Sequence, residues 1–228
     1  MKILQSPAAK QVEEMDQVHD ISRRRFFKLA GGIAGAGVVL SACHPRSGPT
    51  NLYLGDGDIA LLNFLYVLEQ IEAAFYTQAV ATPYYMLDHK EMIALTDVRD
   101  QEIAHKEYLQ TLLGKKALAA VNMDFSLVTF ADRTSVLTHA AIIEDIVISG
   151  INGAAAHFSN TDYPLSFTKM LTVEARHSAY FRDILTLNSF ADNVIDINGA
   201  DQIASPAAAL INAQTYTHTR FDASNLPN

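Results

Sequence analysis

Two Glu-x-x-His motifs lie inside long helical runs of this chain, and they constrain its fold more than any other feature. One joins Glu102 to His105 and the other joins Glu174 to His177. Residues three apart on a helix share one face, so each motif presents a carboxylate and an imidazole side by side. Carboxylate and imidazole groups bind metal ions. Each motif is therefore a candidate half of a metal site.

A single motif of this kind has an ordinary alternative, an exposed ion pair worth about 0.2–0.5 kcal/mol. The alternative weakens when the motif recurs. Residues 43–228 hold only seven Glu and seven His, yet two Glu-x-x-His pairs occur there, both in the middle of predicted helices. The recurrence favours one shared site over two unrelated ion pairs.

The first 42 residues are predicted to be an export signal. Ser22-Arg23-Arg24-Arg25-Phe26-Phe27-Lys28 precedes an uncharged apolar run, Leu29 to Leu40. Twelve helical residues cover about 18 Å, less than the roughly 30 Å hydrocarbon core of a membrane, so a signal is favoured over a span. The basic motif resembles the twin-arginine export signal, with Phe27 where Leu is commoner. That resemblance implies export of a folded protein, often with its cofactor already bound.

The only cysteine of the chain, Cys43, ends the sequence Leu40-Ser41-Ala42-Cys43. This sequence resembles the lipobox of bacterial lipoproteins, which implies that residues 1–42 are removed and that Cys43 is lipidated. Signal cleavage nearby without lipidation is the alternative. The resemblance implies a periplasmic or cell-surface lipoprotein attached to a membrane through its lipid. The residue after Cys43 is His44 and not Asp, and the resemblance then favours the outer membrane in a bacterium with two membranes.

The chain beyond residue 42 is acidic. Residues 1–42 carry six of the 17 basic and four of the 25 acidic residues, which leaves 11 basic and 21 acidic residues and a net charge of −10. Such a surface argues against nucleic acid as a partner and against adhesion to anionic lipid by charge. The remaining length suffices for one domain with a sizeable core.

Helical periods and their boundary residues predict an all-α protein. A lipidated Pro/Gly/Ser-rich tether at 43–55 is followed by a bundle at 56–190 and a C-terminal extension at 191–228. Four long helices are predicted, the first opening at Asp56 or Asp58, the second at an Asp88 capping box with Glu91, and the others near 132 and 164. Their short, long and short connections predict a four-helix bundle with one long crossover connection. A short fifth helix starts near 205, and the last dozen residues are predicted to be irregular.

The first and third helices complete a set of six candidate ligands. Glu69 lies about 12 residues before the break between the first two helices and Glu102 about 14 after it, which places both about 18–21 Å from that turn. Glu144 is the only Glu of the third helix. The candidate metal ligands are Glu69, Glu102, His105, Glu144, Glu174 and His177.

This pattern resembles the ferritin-like superfamily over about residues 58–188. In its di-iron and di-manganese members, two helices supply one Glu each and two supply Glu-x-x-His. The resemblance implies two iron or manganese ions, with zinc as the alternative, and no catalytic residue separate from the ligands. More narrowly, the stretches Leu68–Tyr76 and Val173–His177 resemble the group that includes the desiccation-related proteins.

The resemblance implies an extracytoplasmic oxidoreductase acting on peroxide or dioxygen, by ferroxidase, peroxidase or catalase-like chemistry. The alternative is a non-enzymatic metal-binding or structural envelope protein of stress or desiccation. The sequence does not choose between them. A second copy of the chain, in a homodimer, is a further candidate partner.

Three neighbours of the candidate ligands leave alternatives open. Glu72 is either the ligand of the first helix in place of Glu69 or a carboxylate beside the ligands. Tyr76 either contacts a ligand or carries an electron, or it is a core tyrosine with a satisfied hydroxyl. Asp145 either orients a ligand histidine or forms an exposed cap or ion pair.

Overall fold

The computed structural model of the protein describes residues 51–228, so the predicted export signal and Cys43 lie outside the described residues. The described part is mostly helical, as predicted. Its five α-helices are α1 (Asp58–Ala81), α2 (His89–Leu113), α3 (Arg133–Ala155), α4 (Asp162–Leu185) and α5 (Pro206–Ala213). The all-α bundle with a short fifth helix is confirmed, and the fourth helix starts and ends two residues earlier than predicted.

The four long helices form two antiparallel pairs. α1 packs mainly against α2, α3 packs mainly against α4, and the contact of α1 with α3 joins the pairs. Arg133, at the start of α3, contacts Glu91 near the start of α2, so these two helices begin at the same end. The connection over residues 114–132 therefore runs the length of the bundle, which is the predicted long crossover.

Two of the predicted helix starts are made by an aspartate cap. The carboxylate of Asp88 accepts hydrogen bonds from the backbone N–H groups of Lys90 and Glu91. Asp132 likewise accepts from Thr134 and Ser135. These bonds satisfy amide groups that a helix leaves unpaired at its first turn. The local sequence alone determines both starts.

The capping box predicted at Asp88 is only half formed. Glu91 does not return to the backbone of Asp88, because its carboxylate accepts hydrogen bonds from Arg133 and from the Tyr84 hydroxyl. Arg133 also donates to the carbonyl of Ile184 near the end of α4. An interaction that links α2, α3 and α4 therefore replaces the predicted local bond from Glu91 to the backbone of Asp88.

The predicted aspartate cap of α1 is wrong. The N-cap residue is Gly57, which has no side chain to accept a hydrogen bond, and Asp58 is the first helical residue. The Asp58 carboxylate instead accepts from Ser159 and from the amide of Asn160, in the connection between α3 and α4. The acid therefore joins the start of α1 to the connection between α3 and α4, at the same end of the bundle.

The apolar character of α1 and α3 reflects their place in the core. Both are long and apolar enough to cross a membrane by length and composition, but 89% of the apolar window of α1 and 56% of that of α3 are buried inside the protein. Close packing of α3 depends on Gly153, where an added Cβ would lie 1.8 Å from the carbonyl oxygen of Ala204. The lack of a side chain at Gly153 thus lets α3 approach the segment that precedes α5.

A two-stranded parallel sheet joins the two ends of the described chain. Strand β1 (Leu52–Tyr53) pairs with β2 (Phe221–Asp222), with Leu52 opposite Phe221. The prediction that the last dozen residues are irregular is wrong at β2, because two residues are too few to show a period. Leu54, in the segment predicted as a tether, is fully buried.

Candidate metal centre

The two Glu-x-x-His motifs lie in the middle of α2 and α4, with their side chains directed into the bundle. Glu102 and Glu174 are fully buried, and His177 is 6% exposed. Glu69 on α1 and Glu144 on α3 are buried at 1% and 0% exposure. Each long helix thus contributes a carboxylate to the interior of the bundle, and α1 contributes a second, Glu72, which is also fully buried.

The first of two side-chain groups contains Glu69, Glu102, His105 and Glu174, whose ligand atoms all lie within 4.8 Å of one another. His105 Nδ1 lies 2.7 Å from Glu174 Oε1 and 3.2 Å from Glu102 Oε2. It lies 3.6 Å from Glu69 Oε2. Three helices, α1, α2 and α4, meet at this group.

The second group contains Glu102, Glu144, Glu174 and His177, again with ligand atoms within 4.8 Å of one another. His177 Nδ1 lies 2.9 Å from Glu102 Oε1 and 3.1 Å from Glu174 Oε2. It lies 3.7 Å from Glu144 Oε1. Here α3 replaces α1 as the third helix.

Glu102 and Glu174 belong to both groups, and each directs a different oxygen at each histidine. Glu102 directs Oε2 at His105 and Oε1 at His177. Glu174 directs Oε1 at His105 and Oε2 at His177. The two groups are therefore adjacent candidate metal sites that share two carboxylates, with Glu69 only in the first candidate site and Glu144 only in the second.

The protein alone does not satisfy these carboxylates. An oxygen of each acid has no aligned hydrogen-bond partner among residues 51–228, even where a histidine nitrogen is close; the atoms are Oε2 of Glu69, Oε1 of Glu102, Oε2 of Glu144 and Oε1 of Glu174. A buried polar atom without a partner costs about 1–3 kcal/mol, and more when it is charged. Four such oxygens around two points form an environment that cations would stabilise.

Burial and mutual repulsion change the proton affinity of the group. Burial, with repulsion from neighbouring carboxylates, raises the pKa of Glu69 and of Glu144 well above the usual range. Burial opposes ionisation of Glu102 too, but the close contacts of both histidines with its carboxylate outweigh it, and the pKa of Glu102 is lowered. In the absence of cations, protons therefore replace part of the missing positive charge.

The two histidines hold their protons strongly for a related reason. Burial disfavours the charged imidazolium, but the close contacts of each histidine with the carboxylates of Glu102 and Glu174 outweigh that effect. The pKa of His105 is raised to about 11 and that of His177 to about 10. A metal ion that binds here must displace these protons.

Gln101 contacts the far side of a candidate ligand, and sequence reasoning missed it. Its Oε1 lies 3.2 Å from His177 Nε2, while its amide nitrogen donates to the carbonyl of Asp97. When His177 is neutral, this contact places the ring proton on Nε2 and leaves the lone pair of Nδ1 facing the carboxylates. No signal in the sequence predicts the contact, because it depends on how α2 packs against α4.

The positions of Glu72 and Tyr76 reduce the roles that the sequence leaves open for these two residues. Glu69 lies in the first group, whereas Glu72 lies in neither, although it is fully buried. The Tyr76 hydroxyl donates a 2.5 Å hydrogen bond to Glu144 Oε1. The ring of Tyr76 is stacked on Phe181, with centroids 5.6 Å apart. Tyr76 therefore supports a candidate ligand from within the core.

Asp145 does not orient a histidine within the described chain. Its carboxylate accepts hydrogen bonds from Ser178, at 2.9 Å, and from Arg182. The reason is rotational: Asp145 follows Glu144 on α3, and one residue turns a helix by about 100°. The interpretation as an ion pair is the one that agrees with these contacts.

A helical bundle with carboxylates and imidazoles gathered in its core is the architecture of the ferritin-like class. The family model described as "Ferritin-like domain" matches residues 57–187, more than half of the chain, and the chain belongs to this family. No curated protein matches the chain. The match begins one residue before α1 and ends two residues after α4.

Proposed function

We propose that this protein is an extracytoplasmic, lipid-anchored oxidoreductase with a dinuclear iron or manganese centre that acts on peroxide or dioxygen. One observation carries the proposal: six side chains from four helices, five of them buried and His105 partly so, surround two adjacent points and share Glu102 and Glu174. Membership of the desiccation-related group is part of the proposal and is supported by the sequence stretches named above.

The donor set fits two hard or borderline divalent cations. Each point is surrounded by three carboxylates and one imidazole nitrogen, a combination that suits iron or manganese better than a soft metal. The four carboxylates carry four negative charges, which two divalent ions balance. Glu69 and His105 would hold the first ion and Glu144 and His177 the second, with Glu102 and Glu174 between them.

Bound iron or manganese would supply electrons to an oxidant and polarise it. The protein's own part is to position the ligands and to restrict access. Tyr76 holds Glu144, and Gln101 holds His177. The most exposed of the six ligand side chains is that of His105, at 15%. Oxidants as small as peroxide and dioxygen suit such an enclosed site.

The principal test is elemental analysis of the full chain expressed in the cytoplasm, followed by assays of peroxide and dioxygen consumption. We expect about two iron or manganese ions per chain and measurable turnover. Glu174→Ala removes a ligand from both sites and should abolish metal binding and turnover. Glu107→Ala is the matched control, because Glu107 is an exposed acid of α2.

The outcomes separate this proposal from its alternative. Bound metal without consumption of either oxidant would favour the non-enzymatic metal-binding or structural protein. Metal bound equally by the wild type and by Glu174→Ala would exclude these side chains as ligands. The absence of iron and manganese from the wild type, even after loading, would reject the dinuclear centre altogether.

The location rests on the resemblance of residues 22–43 to signal and lipobox sequences. Mass spectrometry of the membrane-extracted protein should find an N-terminal, lipid-modified Cys43. Cys43→Ser should release the protein from the membrane, and replacement of Arg23 and Arg24 by Lys should retain it in the cytoplasm. An unmodified N-terminus elsewhere would support simple cleavage instead.

A further inference from the structure

Glu72 is a buried acid that the proposed centre does not use. It is fully buried, and neither of its carboxylate oxygens has a hydrogen-bond partner in the described part of the chain. It lies on α1 one turn after Glu69 and one turn before Tyr76, on the same face of the helix. An acid with two unpartnered oxygens in this position requires a positively charged or protic partner.

The surroundings of Glu72 place it beside the second site. Tyr76, one turn further along the same face of α1, donates a hydrogen bond to Glu144 Oε1. Burial raises the pKa of Glu72, and repulsion from Glu102 and Glu144 adds to that effect. Glu102 and Glu144 both belong to the group around His177. A turn of the Glu72 carboxylate toward that group would break no hydrogen bond among the described residues.

The charges at the centre show when such an acid would be needed. Two divalent ions balance the four carboxylates of the two groups, so a fifth buried carboxylate has no positive charge to match it. An unmatched buried charge costs several kcal/mol. When one ion carries a third positive charge, the fifth carboxylate restores the balance.

We infer that Glu72 is a fifth carboxylate that binds the ion of the second site in its trivalent state, and so favours trivalent over divalent ions there. The inference rests on the proposed dinuclear centre. It assigns Glu72 a role distinct from that of Glu69. Glu69 belongs to the first group whatever the charge of the bound ion, whereas Glu72 binds only a trivalent ion. The expected consequence is a lower reduction potential than four carboxylates would produce.

The test compares two redox-inert ions, gallium(III) and zinc(II), so that no turnover is involved. The metal-free full chain is titrated with each ion, and the dissociation constants are measured for the wild type, Glu72→Gln and the exposed control Glu107→Gln. We expect Glu72→Gln to weaken gallium binding at least tenfold relative to zinc binding. Glu107→Gln should match the wild type.

A second measurement uses iron and a potential in place of an affinity. In the iron-loaded protein, Glu72→Gln should raise the midpoint potential of the ferric/ferrous couple, because only the ferric form loses a ligand. A tenfold change in the affinity ratio corresponds to about 59 mV for a one-electron couple. If Glu72→Gln does not fold, Glu72→Met, which also lacks the charge, takes its place in both measurements.

The results have distinct meanings. Equal weakening of gallium and zinc would make Glu72 an ordinary ligand in both charge states and overturn the inference. An unchanged ratio together with an unchanged potential would make it a neutral acid and overturn it as well. Failure of the wild type to bind zinc, gallium or iron would reject the dinuclear centre itself, and the inference with it.

Discussion

The hydroxyl of Tyr76 donates a hydrogen bond of 2.5 Å to Oε1 of Glu144, although 68 positions separate the two residues in the chain. The bond joins α1 to α3, the two helices that each contribute one candidate ligand without a histidine. Both residues are fully buried. This hydrogen bond therefore holds a carboxylate of the second site in place from the opposite pair of helices.

Tyr76→Phe should weaken metal binding at the second site. Loss of a partner that orients a ligand typically costs 10–100-fold in affinity, and a hydrogen bond to a charged group contributes about 1.5–3 kcal/mol to stability. Metal titration and urea unfolding measure the two effects. Tyr180→Phe, at a partly exposed ring of α4, is the control. Unchanged metal affinity in Tyr76→Phe would show that the Tyr76 hydroxyl does not help to position a ligand.

The stability of the metal-free protein should fall as pH rises above about 6.5, the pKa of a free imidazole. Folding raises the pKa of His105 to about 11 and that of His177 to about 10, so the folded state holds protons that the unfolded state releases. Their contribution is complete below the unfolded pKa and is lost as pH rises through the folded values. Urea unfolding at pH 6, 7.5 and 9, with chelator present, measures the trend.

Metal affinity should show the opposite dependence on pH over the same range. Bound ions must displace the protons of both histidines, and fewer protons are present at higher pH. Zinc titrations at pH 6, 7 and 8 should give progressively tighter binding. Affinity that is constant over this range would mean that neither imidazole loses a proton when the ion binds.

Arg133→Met should destabilise the bundle without changing its metal content. Arg133 contacts Glu91 at 2.5 Å and the carbonyl of Ile184 at 2.9 Å, which links α3 to α2 and α4. Solvent screens this partly exposed pair, so we expect a loss of about 1 kcal/mol in the free energy of unfolding. Elemental analysis of the same variant should give the wild-type metal content.

The contact between Arg133 and Glu91 should also weaken in acid. The hydrogen bond from Arg133 lowers the pKa of Glu91, so its contribution is present above the unfolded pKa and is lost as pH falls through the lowered one. The destabilisation caused by Arg133→Met should therefore shrink below about pH 4.5, near the usual pKa of a glutamate. An effect that persists at pH 3 would indicate lost packing.

Gly153→Ala should destabilise the protein by about 1–3 kcal/mol, the usual cost of overpacking. The new Cβ would lie 1.8 Å from the carbonyl oxygen of Ala204, and a backbone atom cannot move aside as a flexible side chain can. Asn152→Ala, on the same turn of α3, is the control. Thermal or urea unfolding measures the stability of both variants. Equal stability would show that the backbone at residue 204 moves aside at little cost.

Local chemistry explains why the helices could be predicted closely from sequence. Asp88 and Asp132 cap the helices that follow them, through bonds that span only two or three residues. Gly114, with a φ of +54°, ends α2 in a conformation that other residues rarely adopt. The cap of α1 was predicted incorrectly because Asp58 bonds to residues about 100 positions away, and a propensity does not register such distant partners.

The candidate ligands were found for a different reason. Glu102 and His105, and Glu174 and His177, are paired by helix geometry whatever the fold is. Glu69 and Glu144 were found from chain distances and from the scarcity of glutamate. The contact of Gln101 with His177 and the partners of Asp145 could not be predicted from sequence, because these contacts depend on which helices pack against each other.

The sequence by itself determined the helices, their main boundaries and the pairing of each Glu with its His, because these depend on contacts within about one helical turn. Only the tertiary structure decided that Glu102 and Glu174 each direct one oxygen at His105 and the other at His177. It also decided that Glu72 is buried without a hydrogen-bond partner among residues 51–228. Such relationships depend on the rotation and depth of packed helices, which change side-chain distances by ångströms while leaving every helical period unchanged.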